Sequence, residues 1–159
     1  MKENRMEKRL AACRKEQKKA FITYMTAGLP DIEGCAEIIR TQEKAGTDIV
    51  ELGIPFSDPV ADGPVIQAAS YRSIQQGTNL RKVFAMVEGL RKEGCEQPLV
   101  FMMYYNTVLY YGVDAFAAKC TEVGVDGLII PDLPFEEQGE LGDALKKVED
   151  APILIQLVS

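Results

Sequence analysis

Residues 48–64, DIVELGIPFSDPVADGP, decide how this chain is to be read. The run from Ile49 to Gly53 is a short apolar strand, and its period of two puts Ile49, Glu51 and Gly53 on one face and Val50 and Leu52 on the other. Glu51 therefore lies inside an apolar run, where burying a carboxylate costs several kcal/mol unless it is paired or protonated. A glutamate so placed has a raised pKa and exchanges protons near neutrality, which suits a general acid or base. The following loop carries Asp58 and Asp62 among Pro55, Pro59, Gly63 and Pro64. Each proline fixes its own φ and biases the preceding residue away from helix, so the loop is stiff enough to hold a second carboxylate at a set distance. Asp58-Pro59 and Asp62-Gly63 are equally ordinary turn chemistry, and spacing alone leaves both readings open.

Outward from this stretch, strands and helices alternate. Residues 2–18 form a charged segment in which Met6, Leu10 and Cys13 recur at helical spacing, an amphipathic helix suited to covering one end of a larger structure. Residues 20–26 read as a first strand. A helix over 31–45 follows, with Asp31 as N-cap and Gly46 just past its end. After the acidic loop come a short helix over 65–76 and a helix capped by Asn79 or Thr78 that runs to about 93. Next come a strand over 98–104, a helix over 113–123, a strand over 127–131, a helix over 135–148 and a fifth strand over 152–158. Asp48 and Asp126 repeat a pattern in which a helix stops at glycine and an aspartate opens the next strand.

Strands such as LVFMM and ILIQLV are apolar on both faces, so they lie between two packed layers, and strict alternation with helices means a parallel sheet in an α/β fold. Two closures compete, the doubly wound sheet and the (β/α)8 barrel. No G-x-G-x-x-G or G-x-x-x-x-G-K follows a strand, which removes support for the nucleotide-binding open sheet. Candidate polar residues stand instead at the C-terminal ends of several strands: Tyr24, Glu51, Tyr104 with Asn106, and Asp132. That distribution is the signature of a barrel active site, although Tyr24 and Tyr104 also suit core aromatics and Asp132 a turn.

Composition narrows the chemistry. The 159 residues carry a net charge of −6 and no basic run, which argues against nucleic acid or an anionic membrane surface as partner. No apolar run approaches the roughly 20 residues of a membrane-spanning helix, and the charged start has no apolar signal core, so the expected location is cytoplasmic. Cys13, Cys35, Cys95 and Cys120 are widely spaced and there is no histidine, so a metal cluster or disulfide framework is not expected. Without an imidazole, acid-base work falls to carboxylates, tyrosines and lysines.

The run from Glu51 to Pro64 resembles the signature of the tryptophan synthase alpha subunit family. So do TYMTAGLPD after the first helix, MMYYN at the end of the third strand and GVDGLIIPDLPFEE around the fourth. The resemblance implies a (β/α)8 barrel that cleaves indole-3-glycerol phosphate to indole and glyceraldehyde 3-phosphate by a retro-aldol reaction in tryptophan biosynthesis, with no metal or organic cofactor. By motif position Glu51 would transfer the proton, and Asp62 would accept a hydrogen bond from the indole N–H. Tyr24, Met102, Tyr104, Asp132 and Ile155 fall at pocket positions, with Tyr24 in place of the more usual Phe and Met102 in place of Leu. A partner is implied too, the beta subunit, which carries pyridoxal phosphate and assembles as alpha2beta2, with Pro55, Asp58, Pro59, Asn106 and Pro134 at or near the contact.

Five strands are expected where such a barrel needs eight and about 250 residues. The expectation is therefore one domain over residues 1–159, an incomplete barrel with an extra N-terminal helix. The phosphate-binding loops would be missing, so the chain alone would be inactive and prone to self-association through an open sheet edge. Two alternatives stand beside this reading: another barrel lyase or isomerase of phosphorylated sugars, and a non-catalytic module that docks on the beta subunit.

Overall fold

The computed structural model describes residues 3–157 and contains one sheet of five parallel strands. These are β1 (Ile22–Thr26), β2 (Ile49–Gly53), β3 (Leu99–Met102), β4 (Gly127–Ile129) and β5 (Ile153–Ile155). They lie in the order β1-β2-β3-β4-β5. A doubly wound sheet reverses its strand order at a switch point. Here each strand pairs with the next in sequence, which is the order of a barrel wall.

The helices are α1 (Arg5–Lys15), α2 (Ile32–Ala45), α3 (Pro64–Gln75), α4 (Leu80–Lys92), α5 (Tyr105–Tyr111), α6 (Val113–Val123) and α7 (Gly139–Lys146). Asp31 and Asn79 cap α2 and α4 by accepting the N–H of Gly34 at 2.7 Å and of Lys82 at 3.1 Å. Gly46 ends α2 at φ 89°, where a side chain would strain the backbone. The helix expected over 135–148 is a 3-10 turn, Phe135–Glu137, followed by α7, whose Gly139 and Gly142 weaken helix continuity. Helix α5 was not expected. The fifth strand is shorter than expected at Ile153–Ile155, and Val158 lies outside the described residues. No helix among the described residues is long and apolar enough to cross a membrane.

Both sheet faces are packed. Val50, Leu52, Leu99, Phe101 and Leu128 point outward against α2, α4, α6 and α7, with Phe84 of α4 stacked on Phe101 at 5.7 Å and Phe116 at 6.0 Å. Ile49, Val100 and Ile129 point to the other face and share one apolar cluster with Met6 of α1, against which Leu10 packs. The amphipathic first helix thus covers one end of the sheet, as its spacing predicts.

The repeated aspartates hold that helix down. Asp48 accepts the Phe21 N–H at 2.7 Å, Arg9 Nε at 2.5 Å and the Cys13 thiol at 3.3 Å. Asp126 accepts the Leu99 N–H at 2.9 Å, Arg91 Nη2 at 2.8 Å and Arg5 Nη1 at 3.2 Å. Arg5 and Arg9 are one helical turn apart, so a single face of α1 reaches both aspartates. Burial raises the Asp48 carboxyl, but the Phe21 N–H and the Arg9 guanidinium outweigh it and hold the group below its ordinary value. At Asp126 burial wins, and that carboxyl is raised despite its arginines. The four cysteines are free and buried.

Candidate functional site

The opposite end of the sheet, where the strands run out into loops, carries the candidate chemistry. Glu51 sits in β2 with Tyr24 of β1 and Val100 of β3 as its register neighbours. It is half-buried, and among the described residues no hydrogen-bond or ion-pair partner reaches it. Burial without compensation raises its carboxyl above the ordinary range, the behaviour its position in an apolar run predicts.

One row further along the same face stand Thr26, Gly53, Met102, Ile129 and Ile155. Gly53 is required here by a close approach, because a Cβ would overlap the phenol of Tyr24, whose ring lies across the strand. Burial raises the Tyr24 hydroxyl pKa, the neighbouring Thr26 hydroxyl offsets part of that rise, and the charges of Asp62 and Glu51 add to it. The phenol therefore lies within electrostatic reach of both carboxylates.

The 54–63 loop is tied to the end of β3 and to α3. The Ile54 N–H bonds the Met102 carbonyl at 2.9 Å. The Tyr104 hydroxyl accepts the Ala61 N–H at 2.9 Å and donates to Asp62 Oδ2 at 3.1 Å, and its ring packs on Phe56 at 5.2 Å. Gln67 of α3 donates to the Asp62 carbonyl at 2.9 Å. Pro64 opens α3, where its missing N–H sacrifices no helical hydrogen bond. The stiffness anticipated from prolines is thus reinforced by Tyr104, an anchoring role that the sequence did not reveal.

Tyr24, Gly53, Asp62, Ser70, Met102 and Tyr104 are among the residues lining a cavity of about 20 Å³. Four of the residues singled out from sequence are thereby brought together. Glu51 lies on the same sheet face one row below. Ile155 lies level with Met102, two strands away, in the inner-face cluster. Asp132 stands apart: it is exposed, and its Oδ1 accepts the Tyr105 N–H at 2.9 Å, capping α5 from the loop after β4. Asp58, Asn106 and Pro134 are exposed and Pro55 and Pro59 half-buried, all on segments that follow β2, β3 or β4. Ser70 and Ser73 escaped sequence reading. Both are buried on α3, and Ser73 Oγ donates to the Ala27 carbonyl at 2.6 Å, fixing α3 to the end of β1. Their spacing of three on a helix is the signal that could have found them.

Sequential parallel βα units with carboxylates toward the C-terminal strand ends define a barrel-type α/β protein. Comparison with known proteins supplies the family. The family described as tryptophan synthase alpha chain matches residues 10–158, and this chain belongs to it. It is 64% identical to the tryptophan synthase alpha chain of Lachnospira eligens over 98% of its own length and 59% of that protein's. It is 52% identical to that of Alkaliphilus metalliredigens, over 87% of its own length and 52% of that protein's. Among solved structures, tryptophan synthase subunit alpha from Legionella pneumophila superposes with a TM-score of 0.88 at 40% identity, over 92% of this chain and 56% of that one. Tryptophan synthase from M. tuberculosis in its aminoacrylate-bound form gives 0.83 at 35% identity, over 91% of this chain and 58% of that one. The fold is that of the TIM-barrel alpha chains, and this chain spans about half the length of the relatives it matches.

Proposed function

We propose that this chain carries the acid-base groups of a lyase that cleaves indole-3-glycerol phosphate to indole and glyceraldehyde 3-phosphate in tryptophan biosynthesis. The observation that carries the reading is the pairing of a half-buried, unpartnered Glu51 with an Asp62 held by Tyr104, set around one tyrosine at the same end of the sheet. Indole C3 accepts a proton, which makes the ring a cation and a leaving group. Glu51 takes the proton from the glycerol hydroxyl beside the ring as that carbon becomes an aldehyde. The electrons of the breaking carbon–carbon bond return to the ring, and the proton balance closes, one lost from oxygen and one gained at carbon. Asp62 accepts the indole N–H and stabilises the ring cation, a contribution of several kcal/mol at a preorganised site. Two carboxylates in unlike environments divide the work, Glu51 raised by burial and Asp62 on a polar loop.

The reaction as written uses no cofactor from this chain. A beta subunit carrying pyridoxal phosphate is the proposed partner, meeting the rim of Pro55, Asp58, Pro59, Asn106 and Pro134. The test is to titrate this chain, which is expected to be inactive alone, with 15N-indole, and to assay indole release from indole-3-glycerol phosphate by a chain of the relatives' full length that carries the same residues. A downfield N–H shift that Asp62→Asn abolishes, with release that Glu51→Gln cuts by about a hundredfold or more, supports the proposal. Indole binding that ignores Asp62→Asn sinks it.

A further inference from the structure

Among the described residues no strand pairs with the outer edge of β1 or of β5. Neither strand, ITYMT or ILI, carries a charge or a proline, the usual guards of an open edge. The β1 edge is also apolar: Phe21 is 63% exposed and Ile22 47%, and Met25, Leu29, Pro30 and Ile38 line a groove beside it. Leu157, just after β5, is 60% exposed.

The two edges complement each other in three respects. The first is the backbone. In a parallel ladder one residue turns its N–H and C=O to one side and the next residue turns both to the other. The Phe21 carbonyl and the Ala27 N–H bond toward β2, so Ile22, Tyr24 and Thr26 turn theirs to the open side. The Ile153 N–H bonds the Asp126 carbonyl, so Leu154 and Gln156 turn theirs to the open side of β5. Setting Tyr24 beside Ile155 of another copy brings the Tyr24 N–H to the Leu154 carbonyl and the Gln156 N–H to the Tyr24 carbonyl. Pro152, which has no N–H, then needs to supply only its carbonyl. The second respect is the face: Ile22, Tyr24, Ile153 and Ile155 all lie on the inner side of the sheet, so apolar meets apolar. The third is charge. Lys18 and Lys19 precede Ile22 by the same intervals at which Glu149 and Asp150 precede Ile153. Around β1, Arg14, Lys15, Lys18 and Lys19 outnumber Glu16, to which Lys18 is paired at 2.8 Å. Around β5, Asp114, Asp143, Glu149 and Asp150 outnumber Lys146 and Lys147, which are paired to Asp143 and Asp114. A register slip of two residues would keep the backbone match and lose this alignment.

We infer that β5 of one copy of this chain docks on β1 of a second copy, parallel and head to tail, with the acidic patch before β5 against the basic patch before β1. The surface is independent of the indole site. A contact between unlike edges leaves one of each edge on the pair, so assembly closes into a ring or continues as a chain.

The test is sedimentation of this chain over a concentration series at low salt, with two variants. One is Lys18→Glu with Lys19→Glu, the other Glu149→Lys with Asp150→Lys, each checked for unchanged circular dichroism. The parent mass is expected to rise with concentration to at least twice the single-chain value. Each variant alone places like charges across the contact and should associate about tenfold more weakly. An equimolar mixture of the two puts opposite charges together again at every contact and should recover the parent behaviour. A parent that stays a monomer, variants that assemble as the parent does, or a mixture that fails to recover overturns the inference.

Discussion

The two ends of the sheet treat the same functional group in opposite ways. At the N-terminal ends of the strands, Asp48 and Asp126 each hold three partners, including the arginines of α1. Toward the C-terminal end, among the described residues, Glu51 has none and Asp62 has a single tyrosine hydroxyl on its carboxylate. The paired carboxylates fasten a helix across the sheet. The unpaired one carries an unfavourable burial that fastens nothing, which is the setting that the proposed proton transfer calls for. The paired and the unpaired carboxylates are thus separated along the strand axis, which spans about 15 Å for a five-residue strand.

The sharpest way to break that contrast is Asp126→Ala. It strands Arg91 and Arg5 in a mostly buried setting and is expected to cost about 3–5 kcal/mol, read by urea unfolding. A loss below 1 kcal/mol would mean that the N-terminal end is not the structural one. Asp48→Asn comes next, at about 1–3 kcal/mol for hydrogen bonds to a charged group. Its folded carboxyl lies below the ordinary value of 3.8, so its contribution is present above pH 3.8 and disappears as the pH falls through the lower folded value. The deficit of Asp48→Asn relative to the parent chain should shrink over that acid range.

At the other end the sign reverses. The Glu51 carboxyl lies above its ordinary 4.5, so the folded state binds more protons than the unfolded one between those two values and stability falls as the pH rises through them. Glu51→Gln should match the parent chain below pH 4.5 and melt at a higher temperature above the window. A variant that is less stable at neutral pH would show that Glu51 is held by partners after all. The smallest effect is expected for Tyr104→Phe, about 1 kcal/mol from two lost hydrogen bonds, with faster amide exchange at Ala61 as its local signature.

Much of this contrast was legible in the residues themselves. Glu51 declared its burial through the alternation of Ile49 to Gly53, and Asp48 and Asp126 declared their equivalence by opening two strands after a glycine. What the aspartates hold was not legible, because Arg5 and Arg9 are distant in sequence and sit in a segment crowded with solvated charge. Helix α5 was missed for a similar reason. Its run YNTVLYY has no apolar periodicity and no cap of its own, and its N-terminal N–H is satisfied by Asp132 from another strand's loop. Tyr104 was noticed as a pocket residue, while its role in tying down the acidic loop depends on contacts some 40 residues away. Local pattern specifies elements and faces, and non-local hydrogen bonds specify what the polar residues do.

The most direct measurement is a carbon-13 NMR titration of the side-chain carboxyls of Glu51 and Asp48 in the same sample. The two should split in opposite directions, Glu51 titrating above 4.5 and Asp48 below 3.8. A Glu51 midpoint at or below 4.5 would mean that the carboxylate at the open end of the sheet is solvated or paired, and it would remove the basis for its role in proton transfer.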